Sequence, residues 1–264
     1  MSGTEVRKAL QDFMEGLRLW RVWSYFAWLD VTAKYRRSIL GPLWVSGGMV
    51  ATSLALAIVF GAIFGNPLRE ILPYIMSGML AWQLAALPIT TGPDVFVSAT
   101  GLIKSQRFPF WFHVFRHTAR ELIVFAHNIV IFFIMTALVR NFAVLHWQFI
   151  PALVLVPAFG AIYSCIIAML AARYRDLRFM LPFLSQVIFF MTPVFWRSDA
   201  ITDERSIIFE YNPLYYVVEI LRNPLLGVST PLSFWLNTIL FIIVGAAIWL
   251  VTFALYRKRI PFWV

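Results

Sequence analysis

The chain holds a single cysteine, Cys165, among 264 residues, which excludes a disulfide-stapled scaffold. It is poor in charge as well. Asp, Glu, Lys and Arg make up 13% of it, against about 25% in an average soluble domain. Meanwhile 61% is apolar and the mean hydropathy is +0.77. A soluble domain could not cover its surface with so few charges, and a disordered chain would not carry so many apolar side chains. The apolar residues run in long blocks, not in the short alternating segments of a membrane β-barrel. An all-α, multi-pass membrane protein is what remains.

Inside those blocks charge is missing altogether. Residues 43–64, 71–91, 122–139, 149–172, 179–196 and 234–255 contain no Asp, Glu, Lys or Arg. Each stretch is long enough to cross a hydrocarbon core of about 30 Å at about 1.5 Å per helical residue. The expectation is six transmembrane helices forming a bundle over 43–255. An even number puts both termini on one side. The segments before 43, at 92–121, at 173–178 and after 255 carry 17 of the 22 Lys and Arg residues. The other side holds Arg69, Arg140, Arg197, Arg205 and Arg222. The positive-inside rule therefore places both termini in the cytoplasm. The net charge of +9 reads as topology plus attraction to anionic headgroups, not as a nucleic-acid footprint.

Reactive chemistry is scarce. There is no G-x-x-x-x-G-K-[ST] loop to cradle a nucleotide, and the cytoplasmic segments are too short for an ATPase domain. Ion-coupled carriers hold ionisable groups at membrane depth. Here His127, beside Asn128, is the one His, Asp, Glu, Lys or Arg in a span. Such a pair suits interhelical hydrogen bonds, with a one-histidine proton relay as the alternative. His113 and His117 stand four apart, a metal-ligand spacing, but Arg116 lies between them and no Glu accompanies them. Asp199, Asp203 and Glu204 suit a solvated loop better than the catalytic cluster of a lipid-modifying enzyme. Cys165 reads as a small buried hydrophobe. No catalytic, metal-binding or cofactor-binding residue is expected in this chain. Neither a secretory leader nor a lipidation signal is expected at its ends.

Three segments outside the spans carry pattern. In residues 5–31, Val6, Leu10, Phe13, Leu17, Trp20, Trp23 and Ala27 recur at helical spacing among Arg7, Lys8, Arg18 and Arg21. That is the pattern of a helix lying in the membrane interface, or of one docked on a partner. The 92–121 loop mixes Lys104, Arg107 and Arg116 with Phe108, Phe110, Trp111, Phe112 and Phe115, and Pro109 splits it into two short helical pieces. This suits a docking surface, or a loop anchored in headgroups. Residues 197–232 contain a nine-residue stretch, 214–222, too short to span, with Pro213 suited to its start and Asn223-Pro224 to its stop. A pair of re-entrant half-helices at the outer side is the expectation there. Aromatics crowd the region: Phe189, Phe190, Phe195, Trp196, Tyr211, Tyr215 and Tyr216. Such rings serve as packing or as platforms for sugars.

Tyr35-Arg36-Arg37-Ser38-Ile39-Leu40-Gly41-Pro42-Leu43-Trp44 before the first span resembles the leading motif of ABC-2-type export permeases. Leu102-Ile103-Lys104 through Phe108-Pro109 is similar to that family's coupling segment, and Asn212-Pro213 to its re-entrant segment. The closing Tyr256-Arg257-Lys258-Arg259-Ile260-Pro261-Phe262-Trp263 resembles the tails of O-antigen polysaccharide permeases. The resemblance covers 1–264 as one transmembrane domain of ABC-2 (type V exporter) fold. It implies a homodimeric, non-catalytic subunit of the bacterial inner membrane. Two separate ATP-binding cassette subunits would bind ATP and Mg2+. The cargo implied is a polyprenyl-pyrophosphate-linked polysaccharide of O-antigen type, moved outward, with capsule and teichoic-acid polymers sharing the plan. Within it, Lys34, Arg36 and Arg37 receive the lipid headgroup, since Arg and Lys pair with phosphate. Lys104, Arg107, Phe108 and Pro109 couple to the ATPase. Phe189, Phe190, Phe195, Trp196, Tyr211, Tyr215 and Tyr216 form the channel and outer gate.

Overall fold

A computed structural model of the chain describes residues 3–36, 43–139, 144–197, 209 and 211–264. It is all-helical, with no strand among the described residues. Two helices lead: α1 (Gly3–Arg18) and α2 (Trp20–Tyr35). Then come α3 (Leu43–Phe64), α4 (Leu68–Ala85), the short α5 (Leu87–Thr90), α6 (Asp94–Val97) and α7 (Thr100–Ser105), and α8 (Phe110–Leu138). The rest is α9 (Phe149–Arg173), α10 (Leu177–Met191), α11 (Pro213–Leu225), α12 (Leu232–Tyr256) and α13 (Ile260–Trp263).

Among the described residues, four helices are long and apolar enough to cross a membrane: Ser46–Phe64, Phe110–Leu138, Phe149–Arg173 and Leu232–Trp263. The other two expected spans fall on shorter helices. The 71–91 stretch becomes α4 followed by α5, because Pro88 cannot donate to the carbonyl four residues back. The 179–196 stretch becomes α10, with 15 residues and a reach of about 22 Å. Thr192 turns extended there because a residue before proline avoids the helical region.

The leading segment is two helices where one was expected. It breaks at Leu19 into two helices, and the side of α1 turned to the protein holds Ala9, Asp12 and Gly16. Leu10, Leu17 and Trp20 of the apolar stripe are exposed, as is the neighbouring Met14. Gly16 permits a close approach: a Cβ there would lie 2.8 Å from the Trp111 Cβ. α1 packs on α8 and α12, and α2 lies along α8. The 92–121 loop also differs. α6 and α7 precede Pro109, but everything after it belongs to α8, which runs unbroken into the third span.

Two apolar cores are stacked along the bundle. One gathers α4, α9 and α11 around Leu72, Ile75, Leu80, Val156, Val218 and Leu221. The other joins Ala9 and Trp111 to Cys165, Met169, Trp249 and Phe253, so Cys165 is the buried small residue expected. The four basic segments meet at this second core's end. Lys258 donates to Glu5 at 2.9 Å, Arg178 to Asp94 at 2.5 Å and Arg116 to Asp30, while α13 packs on α7 and α9.

Candidate transport site

At the basic end a cavity of about 760 Å³ lies between α2, α3, α4 and α8. One face of α8 walls it: His113, Arg116, His117, Arg120, Glu121, Val124 and Asn128, spaced three or four apart. Asp30 and Lys34 come from α2, Met49 from α3, and Met79, Trp82 and Gln83 from α4. The charges here are held in place. Arg116 grips Asp30 through both carboxylate oxygens, at 2.7 and 2.5 Å, and straps α2 to α8. Arg120 donates to Glu121 at 2.8 Å and to His117 Nδ1 at 3.1 Å. His117 therefore carries its hydrogen on Nε2, which meets the Thr91 hydroxyl at 3.1 Å.

Deeper in, the groups are uncharged. Asn128 donates to Gln83 at 2.9 Å, and Ser46 donates to Asn128 Oδ1 at 2.6 Å. With its one hydrogen used, the Ser46 hydroxyl accepts from His127 Nδ1 at 2.8 Å. His127 and Asn128 thus tie α3, α4 and α8 together, as interhelical hydrogen bonds.

Of the three proposed headgroup residues, only Lys34 lines this cavity. Arg36 is exposed and outside its lining, and Arg37 lies outside the described residues, as do residues 38–42 of the leading motif. The sequence reading missed Arg116 and Arg120. A search for charge-free runs cuts α8 at residue 122 and assigns both to a loop. Their spacing of four, on a helix that continues, is the signal that finds them.

The residues expected to couple to the ATPase lie at the end of α7 and just before α8. Lys104 and Arg107 are exposed, and Phe108 stacks on Phe112 with centroids 4.3 Å apart. Pro109 occupies the N-cap of α8 and has no side chain to satisfy the first N–H groups. Asp12 does so from α1, accepting from Phe110 N at 3.1 Å and Trp111 N at 3.0 Å. Burial pushes the Asp12 carboxyl up from 3.8 to about 6, against the lowering by those two bonds. Phe13 packs edge-on against Trp111 at 4.8 Å. Sequence reasoning passed over Asp12 because an acid on an amphipathic helix looks like a solvated one.

At the opposite end, the helix start expected within 197–232 is present. α11 begins as foreseen: Asn212 caps it by accepting from Leu214 N at 3.0 Å, with Pro213 at the first position. It does not stop at Asn223-Pro224. The last turn accommodates Pro224, and the helix closes on Gly227 at φ +77°. Residues 198–208 and 210, including Asp199, Asp203 and Glu204, lie outside the described residues. α11 is buried against α4, α9 and α12, and Arg222 within it has no solvent exposure. That guanidinium donates to Glu219 at 2.6 Å, to the Tyr74 hydroxyl at 2.7 Å, and to the carbonyls of Pro193 and Val194.

The expected gate aromatics form packed clusters around this clasp. Phe195 and Tyr215 are buried; Phe189, Trp196 and Tyr216 are half-buried; Phe190 and Tyr211 are exposed. Phe195 touches Phe60, Phe189 and Phe190, while Tyr215 touches Phe209, Tyr216 and Phe234.

A helical bundle with a basic end, long helices that carry no charge beyond that end and a short buried helix before the last is the plan of an export permease. Residues 17–226 match the ABC-2 type transporter family, and the chain belongs to it. It is thus a multi-pass membrane subunit of the kind that works with ATP-binding cassette subunits. Its relatives are export proteins. It is 27% identical over 193 residues to an O-antigen export system permease protein RfbA of Klebsiella pneumoniae, covering 70% of this chain and 72% of that protein. A second Klebsiella pneumoniae protein of that name is 25% identical over 231 residues, covering 83% and 87%. One from Myxococcus xanthus is 23% identical over 188 residues, covering 70% and 72%.

Proposed function

We propose that this chain is the membrane subunit of an ATP-driven exporter that moves a polyprenyl-pyrophosphate-linked polysaccharide of O-antigen type outward across the inner membrane. Two copies pair and recruit two ATP-binding subunits, with both termini in the cytoplasm. The observation that carries this reading is the cavity at the basic end, polar at its mouth and free of charge further in. Lys34 stands at its rim with Arg116 and Arg120 on its wall. A pyrophosphate headgroup brings negative charge to cations, whereas an uncharged interior lets a glycan slide without tight binding. Lys34, Arg36 and Arg37 receive the headgroup in this reading. Lys104, Arg107, Phe108 and Pro109 take up motion from the ATPase and pass it to α8. The aromatics from Phe189 to Tyr216 close the outer mouth around the re-entrant α11.

Purification of the tagged chain from its own cells tests the reading. A stoichiometric ATPase subunit that co-purifies, and hydrolyses ATP faster when polyprenyl-linked glycan is added, is the expected result. The chain purifying without such a subunit, or hydrolysis indifferent to the glycolipid, contradicts it.

A further inference from the structure

A second cavity, about 360 Å³, lies at the end opposite the basic segments, between the end of α3, the start of α4 and the turn after α10. Phe64, Asn66, Glu70, Tyr74, Trp196 and Arg197 line it. We propose that it is a saccharide-binding subsite, which the emerging glycan occupies outside the channel. This inference rests on the glycan-export reading above. Its size falls near the lower bound of small-molecule sites, about 300–1,000 Å³, which suits a short saccharide.

The chemistry selects the ligand. Trp196 and Phe64 offer apolar ring surface to the C–H side of a sugar ring, while Arg222 and Arg197 lie over the Tyr74 ring, 4.5 and 5.8 Å from its centroid. Asn66 and Glu70 offer an amide and a carboxylate to its hydroxyls. An acyl chain would leave those polar groups unmatched, and a small anion would meet the Glu70 carboxylate.

The wall is fixed and the rim is open. The Tyr74 hydroxyl donates to the Trp196 carbonyl at 3.1 Å and accepts from Arg222 at 2.7 Å. Arg222 also lies over the Tyr74 ring, 4.5 Å from its centroid. The Trp196 indole donates to Phe190 O at 3.2 Å. Tyr74 is thus held by the buried Arg222 guanidinium, and Trp196 by the Tyr74 hydroxyl and the Phe190 carbonyl, before any ligand arrives, which lowers the ordering cost of binding. Glu70 forms a loose 3.6 Å pair with Arg69, both side chains more than half exposed, so its carboxylate is accessible among the described residues. Gly65, at φ +70°, makes the turn that carries Asn66 to the rim.

The test uses the full chain with its ATPase partner in lipid nanodiscs. The probe is the oligosaccharide mixture released by mild acid from the producing cell's own surface polysaccharide. Saturation-transfer NMR on the sugar ring protons reads binding. Transfer is expected in the parent, and Asn66→Ala combined with Glu70→Ala should weaken binding by roughly tenfold or more. Both residues lie at the rim, so the variant keeps the parent's melting temperature. No transfer in the parent, or equal transfer in the variant, overturns the subsite. Glycolipid stimulation of ATP hydrolysis, measured in the same nanodiscs, separates the two ideas. If it persists while sugar transfer is absent, the subsite fails and the export reading stands; if it too is absent, both fail.

Discussion

Asp12 shows how one side chain can join two elements. Its carboxylate replaces the cap that Pro109 cannot supply. Asp12→Ala should lower stability by about 0.5–2 kcal/mol, the range for a lost N-cap, read as a fall in melting temperature. The charge has a separate signature. Asp12 titrates near 6 in the folded chain against 3.8 ordinarily, so between those values the folded state holds more proton than the unfolded one. Its contribution to stability is therefore fully present below about 4 and is lost as pH rises through about 6. Asp12→Asn keeps an acceptor and loses the titration. Melting curves from pH 7.5 down to 4.5 should show the parent gaining stability relative to Asp12→Asn; parallel curves would contradict this account. Arg36 and Arg37 invite a different substitution. Changing both to Gln should leave insertion intact, since 15 of the 17 basic residues on that side remain. Glycolipid-stimulated ATP hydrolysis should fall, and unchanged stimulation in a correctly inserted variant removes these residues from the headgroup site.

Among the elements, α8 and α11 reveal what a sequence does and does not disclose. The long spans are legible because an apolar run in lipid has no other use. The start of α8 is not, because Arg116, Arg120 and Glu121 interrupt the run, and only the folded chain reveals that Asp30 and His117 receive those arginines. The cavity was equally hidden, since its walls come from four helices far apart in sequence. α11 was legible at its start, where Asn212-Pro213 is a local signal, and not at its end, where burial overrides Pro224. The gate aromatics were visible as a cluster, but sequence could not sort buried Phe195 from exposed Tyr211. Arg222 gives the sharpest test at this scale. Arg222→Met leaves Glu219 buried and unpaired and should destabilise by about 3–5 kcal/mol, whereas adding Glu219→Leu should recover most of that loss. Equal losses in the single and double variants would argue against the clasp. For coupling, replacing Phe108-Pro109 with Gly-Gly removes both the stack on Phe112 and the fixed start of α8. ATP hydrolysis should continue while export stops; normal export would take this joint out of the transmission path.

In the proposed reading, the whole molecule is one half of a dimeric exporter. Its basic end collects the first and last helices, the segment from Lys104 to Pro109 and the open cavity, while its other end is locked by Arg222 and dense aromatic packing. That polarity fits loading at one face and release at the other, with work supplied from outside the chain. Transbilayer movement tests this most directly. Proteoliposomes containing this chain and its ATPase partner are loaded with polyprenyl-pyrophosphate-linked glycan, and the glycan reaching the far leaflet is counted with a sugar-specific lectin. The account predicts ATP-dependent appearance of glycan there, absent without either subunit. Movement without ATP, movement without this chain, or none in the complete system would contradict it.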